Sequence, residues 1–273
     1  MNKKELKSKL IEIKENDYKV IKGDNPFKLS LVMVDNIGDL DSELRDNLIY
    51  TTLATWIIND ILTKEQILEI LNIVLDENHI FYKIGEKGDS VFTRTFSVLI
   101  LPPIIYKHRQ NNFLSTENLE KIYEKLVKYI KEEKDLRGYV KKKGWAHGVA
   151  HAADGLDELA KSGEINNKKL KEILNVIKNK ICINNYTYVN EEDERMVTAV
   201  KAVSERKIIQ TEEIIDWINS FNEFRKIEKL PEDNIIHLNV KNFLRSLYFR
   251  LLKNNKKELS KHTLKVINEI SKF

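Results

Sequence analysis

The chain has 273 residues, of which 42% are hydrophobic and 32% are charged, with 9 Gly and 4 Pro. This composition is typical of a globular protein with one large domain or two ordinary ones. The 46 basic residues are nearly balanced by 42 acidic ones, so the net charge of +4 creates a weak overall field, and we do not expect nucleic acid as a partner.

The first 38 residues are interrupted by Gly23, Pro26 and Gly38, and we interpret residues 1–38 as an N-terminal cap with one or two helices. The opening sequence, MNKKELKSKLIEIKEN, is charged and amphipathic and lacks the apolar region of a secretory signal. The chain also has a single cysteine, Cys182, which cannot form an internal disulfide. We therefore expect a cytoplasmic location.

From residue 39 onwards, apolar residues recur at intervals of three and four, which is the period of an amphipathic helix. The helical segments pair into hairpins at roughly 40-residue intervals, the length of a HEAT-like unit. The predicted hairpins span residues 41–76, 89–133, 144–182, 190–226 and 236–272. We predict an all-α fold in which residues 39–273 form one domain, a right-handed α-solenoid of about five hairpins.

Capping residues predict where these helices begin. The candidate caps are Asp41, Thr63 with Gln66, Ser115 or Thr116, Asn190 with Asp193, and Thr211. The longest apolar run, 96–106, contains Pro102 and Pro103, which lack a backbone donor and should break the helix that begins near Asp89. The run is also shorter than the roughly 18 residues that a membrane span needs, so we expect no membrane segment.

Arginine is much rarer than lysine in this chain, yet an arginine occurs at a comparable place in four of the predicted hairpins, close to an acidic residue. The four are Arg45, Arg94, Arg137 and Arg195. The planar guanidinium forms a bidentate fork that lysine cannot reproduce. These forks could tie consecutive repeats together through Asp–Arg pairs, or they could form a shared ligand-binding surface, and the sequence leaves both interpretations open.

The segment DLRGYVKKKGWAHGVAHAAD, residues 135–154, concentrates most of the residues that can do chemistry. A basic loop punctuated by glycine leads into a predicted helix. On a helix, His147, His151 and Asp154 would lie within about 60° of one another, on one face. They are candidate catalytic residues, with a histidine as general base, Asp154 orienting it and Arg137 stabilising negative charge.

The same face is a poor metal site. Asp154 would lie about 10 Å further along a helix axis than His147, too far for one ion to bind both of them and His151. A divalent metal would have to use His147 with His151, or His151 with Asp154, and take other ligands from elsewhere in the chain, such as Asp46. No glutamate follows the first histidine as in HExxH zinc proteases. We therefore predict no cofactor and keep a metal ion as an alternative.

Small residues surround the histidines and predict that another backbone packs closely against this helix. They are Ala146, Gly148, Ala150, Ala152, Ala153 and Gly155. A buried His or Asp needs hydrogen-bond partners. These partners could come from a closed network with Arg137, Tyr139 or Arg94. Alternatively, the side chains could line a polar pocket in which Tyr139 and Trp145 form an aromatic wall and Arg137 binds an anion.

Four motifs together resemble one bacterial family. They are RDNLIYTTLATWI at 45–57, SVFTRTFSVLIL at 90–101, the 135–154 segment and EEDERM at 191–196. The family that they resemble is known as domain of unknown function 2785, and the resemblance covers most of the chain. It implies no activity, so no catalytic role carries over from it.

Two classes of function remain open for the 135–154 segment. The first is a noncatalytic binding module for a peptide, a protein or a small polar or anionic ligand. Its candidate binding residues are Arg45, Arg94, Arg137, Tyr139, Trp145, His147, His151, Asp154 and Arg195. The second is a hydrolase-type enzyme, with or without a metal ion, that acts on an anionic substrate through His147, His151 and Asp154.

Overall fold

The computed structural model describes residues 1–224 and 227–271 and is all-α, apart from one short β-hairpin in this part of the chain. The chain divides into two compact units, Met1–Gly155 and a second unit that begins at Leu156. No helix in the described ranges is long and apolar enough to cross a membrane.

The first unit contains the N-terminal helices, the hairpin and the start of the helix that carries His151. Its elements are α1 Lys3–Glu15, α2 Pro26–Asp35, a π-helical segment Glu43–Tyr50 that runs directly into α3 Thr51–Ile58, α4 Lys64–Val74, α5 Ser90–Leu99, α6 Leu101–Asn111, α7 Thr116–Glu132, β1 Tyr139–Val140, β2 Gly144–Trp145 and α8 Gly148–Lys161. Helix α8 contains the boundary between the two units.

The second unit is built from helices packed around aromatic side chains. Its elements are α9 Asn167–Ile181, α10 Glu192–Glu205, α11 Thr211–Asn219, a 3-10 turn Ser220–Glu223, α12 Glu232–Lys253 and α13 Lys257–Ile270. The rings of Phe221 and Phe243 stack with centroids 5.4 Å apart, and the Trp217 indole donates to the Leu174 carbonyl at 3.0 Å. These contacts hold α9, α11 and α12 in one core.

All five predicted hairpin ranges contain helices, and an N-terminal pair of helices occurs within residues 1–38 as predicted. The predicted hairpin ends at 226 and 272 lie outside the described residues. Helix α1 buries Leu6, Leu10 and Ile13 completely, and α1 and α2 belong to the first unit. The predicted domain boundary after residue 38 stays a prediction, and the chain divides into its two compact units after Gly155.

Most of the predicted helix starts are confirmed. Thr63 and Gln66 form a reciprocal capping box, and the Ser115 hydroxyl accepts from the amide of Asn118 at 3.1 Å. The Asp41 carboxylate accepts from the amides of Glu43 and Leu44, so it caps the π-helical segment as predicted. Two predictions are wrong by one residue. Glu191, in a left-handed conformation, precedes α10, and Gln210 precedes α11, because their backbones leave the helix there.

The predicted break at the proline pair is confirmed. Helix α5 ends at Leu99 and α6 begins at Leu101, so Pro102 is the second residue of the new helix. Proline is tolerated in the first turn of a helix because the backbone N–H that it lacks would have no partner there. The break therefore falls where both prolines can be accommodated.

The predicted close packing of α8 is confirmed, but side chains approach it, not another backbone. A Cβ atom on Gly148 would lie 2.6 Å from the Tyr129 hydroxyl and 3.0 Å from Thr95 Cγ2. A Cβ atom on Gly155 would lie 2.7 Å from Leu126 Cδ2. Helix α8 can therefore pack against α5 and α7 at this distance because both positions are glycine.

We expect Gly148→Ala to lower the free energy of unfolding by about 1–3 kcal/mol, because the added methyl group overpacks the contact with Tyr129 and Thr95. Chemical denaturation monitored by circular dichroism measures this change. Gly163→Ala is the matched control, since a Cβ atom there would meet nothing within 4 Å. Equal stability of the two variants would show that the contact relaxes at no cost.

Candidate functional site

The β-hairpin leads directly into α8. Tyr139 pairs with Trp145 and Val140 with Gly144 in antiparallel register. Val140 packs against the buried side chains of Val91, Phe92 and Ala146. In contrast, Tyr139 is 58% exposed and Trp145 is 40% exposed. One side of the hairpin is therefore fixed to the core of the first unit, and the other presents two aromatic rings to solvent.

Three rings form a continuous aromatic cluster on the exposed side. Trp145 and His147 stack with centroids 4.7 Å apart and planes 23° apart. Tyr139 meets Trp145 edge-on, with centroids 5.2 Å apart at an interplanar angle of 76°. We call Tyr139, Trp145 and His147 the aromatic corner. A stacked ring with a second ring set across it is a geometry that suits a planar ligand.

His147 itself precedes the helix. Its backbone has φ +52°, in the left-handed region, and α8 begins at Gly148. The expectation that His147, His151 and Asp154 share one helical face is therefore wrong for His147, because its backbone is not helical. The two histidines still meet, since the His147 carbonyl accepts from the His151 amide at 3.0 Å and their rings are 5.8 Å apart.

His151 is buried, with 8% of its surface exposed. Its Nδ1 lies 3.2 Å from the main-chain carbonyl of Thr95, and its ring packs edge-on against Phe96 with centroids 5.3 Å apart. A carbonyl oxygen can only accept, so the proton is on Nδ1, and the hydrogen bond fixes the orientation of the ring. Asp154, about one turn further along α8, is half-buried.

Arg45 is hydrogen-bonded to the main chain of the hairpin. Its guanidinium is fully buried and donates at 2.6 Å to the carbonyl oxygens of Lys143 and Asp39. It also lies over the rings of Phe92 and Phe96, 4.2 and 4.7 Å from their centroids. Such contacts between a cation and aromatic rings are strongest when both are removed from water.

The tip of the hairpin fits tightly on Arg45. Gly144 has φ +82°, and a Cβ atom there would lie 2.6 Å from Ser42 Cβ and 3.0 Å from Arg45 Nη2. Asp46 Oδ1 lies 2.7 Å from the same Nη2 atom. Burial raises the pKa of the Asp46 carboxyl, although the Arg45 charge and the Trp145 amide act in the opposite direction. Burial disfavours the charged form of Arg45 as well, and therefore lowers the pKa of its guanidinium.

Arg94 fixes the segment that precedes the hairpin. It is fully buried and forms a bidentate fork with Glu133, Nε to Oε2 at 2.7 Å and Nη2 to Oε1 at 3.0 Å. Its remaining N–H groups donate to the Ser90 hydroxyl and to the carbonyl oxygens of Tyr82, Lys83 and Glu86. All of the guanidinium donors are therefore used within the protein.

The Glu133 carboxylate is also hydrogen-bonded to the amide of Asp135, whose own carboxylate binds Arg137. Glu133 Oε1 accepts from the Asp135 amide at 2.9 Å, and the Asp135 carboxylate accepts from Arg137 Nε at 2.7 Å and from the Gly88 amide at 3.2 Å. Burial raises the pKa of Asp135, but the bonds from Arg137 and Gly88 outweigh it and hold the pKa below its ordinary value. Arg137, whose side chain is 38% exposed, also donates to the Gly88 carbonyl at 2.9 Å.

The structure thus brings most of the predicted site residues to one region of the first unit. Arg45 and Arg94 are buried and bonded to the hairpin and to Glu133, and Arg137 is partly exposed beside Asp135. The aromatic corner, His151 and Asp154 follow along the chain. Arg195 is an exposed residue of α10 in the second unit. In the described residues, no group of three or more His, Cys, Asp or Glu side chains is arranged to hold a metal ion.

Sequence reasoning missed three residues that position this region. They are Glu133, the partner of Arg94; Phe96, which contacts both Arg45 and His151; and Thr95, whose carbonyl orients His151. Asp89, the acidic residue that precedes Arg94 in the sequence, pairs with Lys143 at 2.7 Å. Glu133 lies in an ordinary charged run, so its pairing with Arg94 could not be predicted from the sequence. The Thr95 carbonyl could not be predicted as the partner of His151 either, because every residue has a main-chain carbonyl.

The family described as Protein of unknown function (DUF2785) matches residues 80–249 of this chain, which is more than half of its length and includes the whole hairpin region. The chain belongs to the DUF2785 family. This confirms the resemblance for the three motifs that lie within the matched residues, whereas the motif at 45–57 lies outside them. No curated protein and no solved structure matches the chain. A function for this DUF2785 protein must therefore be argued from its own geometry.

We expect Arg94→Lys to lower the free energy of unfolding of the DUF2785 chain by about 3 kcal/mol or more, because lysine leaves several buried acceptors without a donor. The exposed Arg245→Lys exchange is the matched control. Thermal or urea denaturation of both variants gives the comparison. If Arg94→Lys unfolds at the same denaturant concentration as Arg245→Lys, the fork does not stabilise the fold.

We expect Asp135→Asn to destabilise the protein by about 2 kcal/mol near neutral pH, since it removes a buried charge-assisted pair. The folded pKa of Asp135 is below its ordinary value of 3.8. The stabilisation by Asp135 is therefore complete above that value and is lost as the pH falls through the folded pKa. The difference between wild type and variant should shrink in acid, measured by urea denaturation at a series of pH values.

The exposed Asp216→Asn exchange removes the same charge elsewhere and serves as the control. We expect it to change stability little at any pH. A difference between wild type and Asp135→Asn that stays constant down to acid pH would show that the ionised carboxylate is not the stabilising species.

Proposed function

We propose that this protein is a cytoplasmic binding module whose ligand-binding surface is the aromatic corner of the hairpin. The observation that carries the proposal is the combination of exposed rings with a buried base that is hydrogen-bonded to the main chain of the hairpin. Tyr139 and Trp145 are 58% and 40% exposed, while the backbone beneath them is held by Arg45, which is completely buried. Exposed aromatic residues on a rigid base are typical of recognition surfaces, because little entropy is lost when a ligand binds.

The ligand class that fits best is a small planar molecule with a negative charge. Lys141 and Lys142, at the turn of the hairpin, are both exposed. A planar ring would stack on Trp145, and its anionic group would be attracted by these lysines. A peptide with an aromatic side chain beside an acidic one would present the same chemistry. Arg137 borders the same segment and is the one of the three arginines here with an exposed side chain.

We also propose that the helical pairs are HEAT-like repeats of a right-handed α-solenoid. Helices occupy all five predicted hairpin ranges, and from α8 onwards the first helix of each pair begins about 40 residues after the previous one, at Gly148, Glu192 and Glu232. In repeat proteins, loops between helices commonly carry the binding residues. The β-hairpin between α7 and α8 would be such an insertion.

Fluorine NMR of protein labelled with 5-fluorotryptophan tests the binding surface. The chain has three tryptophans, of which Trp56 is fully buried, Trp217 is 7% exposed and Trp145 is 40% exposed. We expect phenyl phosphate or benzoate to shift the Trp145 resonance in a saturable manner, while the other two resonances serve as internal controls. Benzyl alcohol, which lacks the charge, should bind more weakly.

Variants then locate the binding surface. Tyr139→Ala should weaken binding of phenyl phosphate about tenfold or more, which corresponds to one stacking contact. Tyr106→Ala removes an aromatic ring that is 40% exposed elsewhere in the first unit and should leave binding unchanged. If all three tryptophan resonances move together, or none moves with any of these compounds, the aromatic corner is not a binding surface for planar anions.

A second candidate function, hydrolysis of an anionic substrate, is supported by the orientation of His151. The Thr95 carbonyl fixes the proton on Nδ1, which leaves Nε2 as the basic nitrogen. In this candidate the Thr95 carbonyl orients His151, the role predicted for Asp154, and Arg137 would stabilise negative charge. Turnover of p-nitrophenyl phosphate tests this. Activity should be lost in His151→Gln and retained in His79→Gln, whose histidine pairs with Asp76 away from the hairpin. No turnover by wild type would rule out this candidate.

A further inference from the structure

The second unit contains a cavity of about 420 Å³ at the starts of α11 and α13. Three lysines line it: Lys207 from the loop after α10, Lys256 from the turn between α12 and α13, and Lys257, the first residue of α13. Lys207 and Lys257 are exposed, and Lys256 is half-buried. Two separate loops therefore direct cationic residues to one cavity.

The charge of this cavity is unbalanced. Among the described residues that line it, Glu258 is the only acid. No ion pair is found for any of the three lysines in the described chain, although neighbouring lysines are paired, Lys201 with Glu205 and Lys265 with Glu269. An excess of positive charge in a concave site attracts anions.

The floor of the cavity is apolar. Ile209, Ile214 and Leu259 are each 5–6% exposed and line it together with the polar side chains of Gln210 and Thr211. A volume of this size is within the range of small-molecule sites, roughly 300–1,000 Å³. The cavity can thus enclose an apolar portion of a ligand while the lysines at its rim contact a charged group.

The first turn of α13 adds to the positive potential. Its N-cap position is Lys256, and no side chain caps the helix. The N–H groups of an uncapped first turn carry a partial positive charge that favours an anion. The start of α13 and the three lysines therefore both favour an anionic ligand in this cavity.

We propose that this lysine pocket, formed by Lys207, Lys256 and Lys257, binds the phosphate group of a small organic phosphate. A phosphate monoester has three terminal oxygens and carries more negative charge than a carboxylate, so it matches three ammonium groups better. The site lies in the second unit and does not depend on the aromatic corner.

Isothermal titration calorimetry with inorganic pyrophosphate tests the proposal. We expect saturable binding that weakens at high salt, as screening predicts. Lys207→Gln, Lys256→Gln and Lys257→Gln should each weaken binding about tenfold, the loss expected for one charge-assisted hydrogen bond. Lys253→Gln and Lys261→Gln are matched controls, because both lysines are exposed, flank the same turn and do not line the cavity.

Sedimentation with vesicles that contain phosphatidate distinguishes a lipid headgroup from a free phosphate. Vesicle binding that requires the three pocket lysines, without binding of pyrophosphate, would assign the phosphate to a lipid. The proposal is overturned if neither probe binds saturably. It is also overturned if Lys253→Gln and Lys261→Gln weaken binding as much as the pocket variants do, since attraction would then reflect general charge.

Discussion

The hairpin region depends on the carboxylate of Glu133. This buried group accepts the fork of Arg94 and the amide of Asp135, so it joins α5 to the end of α7 and to the segment that leads into the hairpin. A buried ion pair is stable only if both partners have their hydrogen bonds, and here the Arg94 donors are all used. The next carboxylate, Asp135, is bonded in the same way to Arg137 and Gly88. A succession of bonded charges thus fixes the backbone before β1 begins.

Burial and hydrogen bonding also separate the arginines that stabilise the fold from the one that a ligand could reach. A guanidinium that is fully buried and bonded to main-chain carbonyls, as in Arg45 and Arg94, is not available to a ligand without breaking those bonds. Arg137 shares its fork with Asp135 but keeps 38% of its side chain exposed. The buried Arg45 and Arg94 therefore stabilise the fold, Arg94 through Glu133 of the same predicted hairpin, whereas Arg137 has a partly exposed side chain, and the two interpretations of the arginine pattern stay predictions. The arginine pattern does not report burial.

Local signals in the sequence predicted local structure well. The capping box at Thr63 and Gln66 and the break before Pro102 depend on contacts within a few residues. The hairpin and the non-helical His147 were not predictable in this way. Gly144 adopts its left-handed conformation against Ser42 and Arg45, and the Arg45 bond to the Lys143 carbonyl joins residues 98 positions apart. Periodicity describes which face of a helix is apolar, but it does not identify a partner at that distance.

The number of contacts that hold the hairpin region argues that its conformation serves more than a connection. Lys142 and His147 both have positive φ although neither is glycine, and such positions persist only where the surrounding structure holds them. A two-stranded hairpin is marginally stable by itself. Here Arg45, the Lys143–Asp89 pair and the packing of Val140 hold it in place. A plain linker between α7 and α8 would require none of these contacts. The side that they leave exposed is the one that carries Tyr139 and Trp145, which is why we place recognition there.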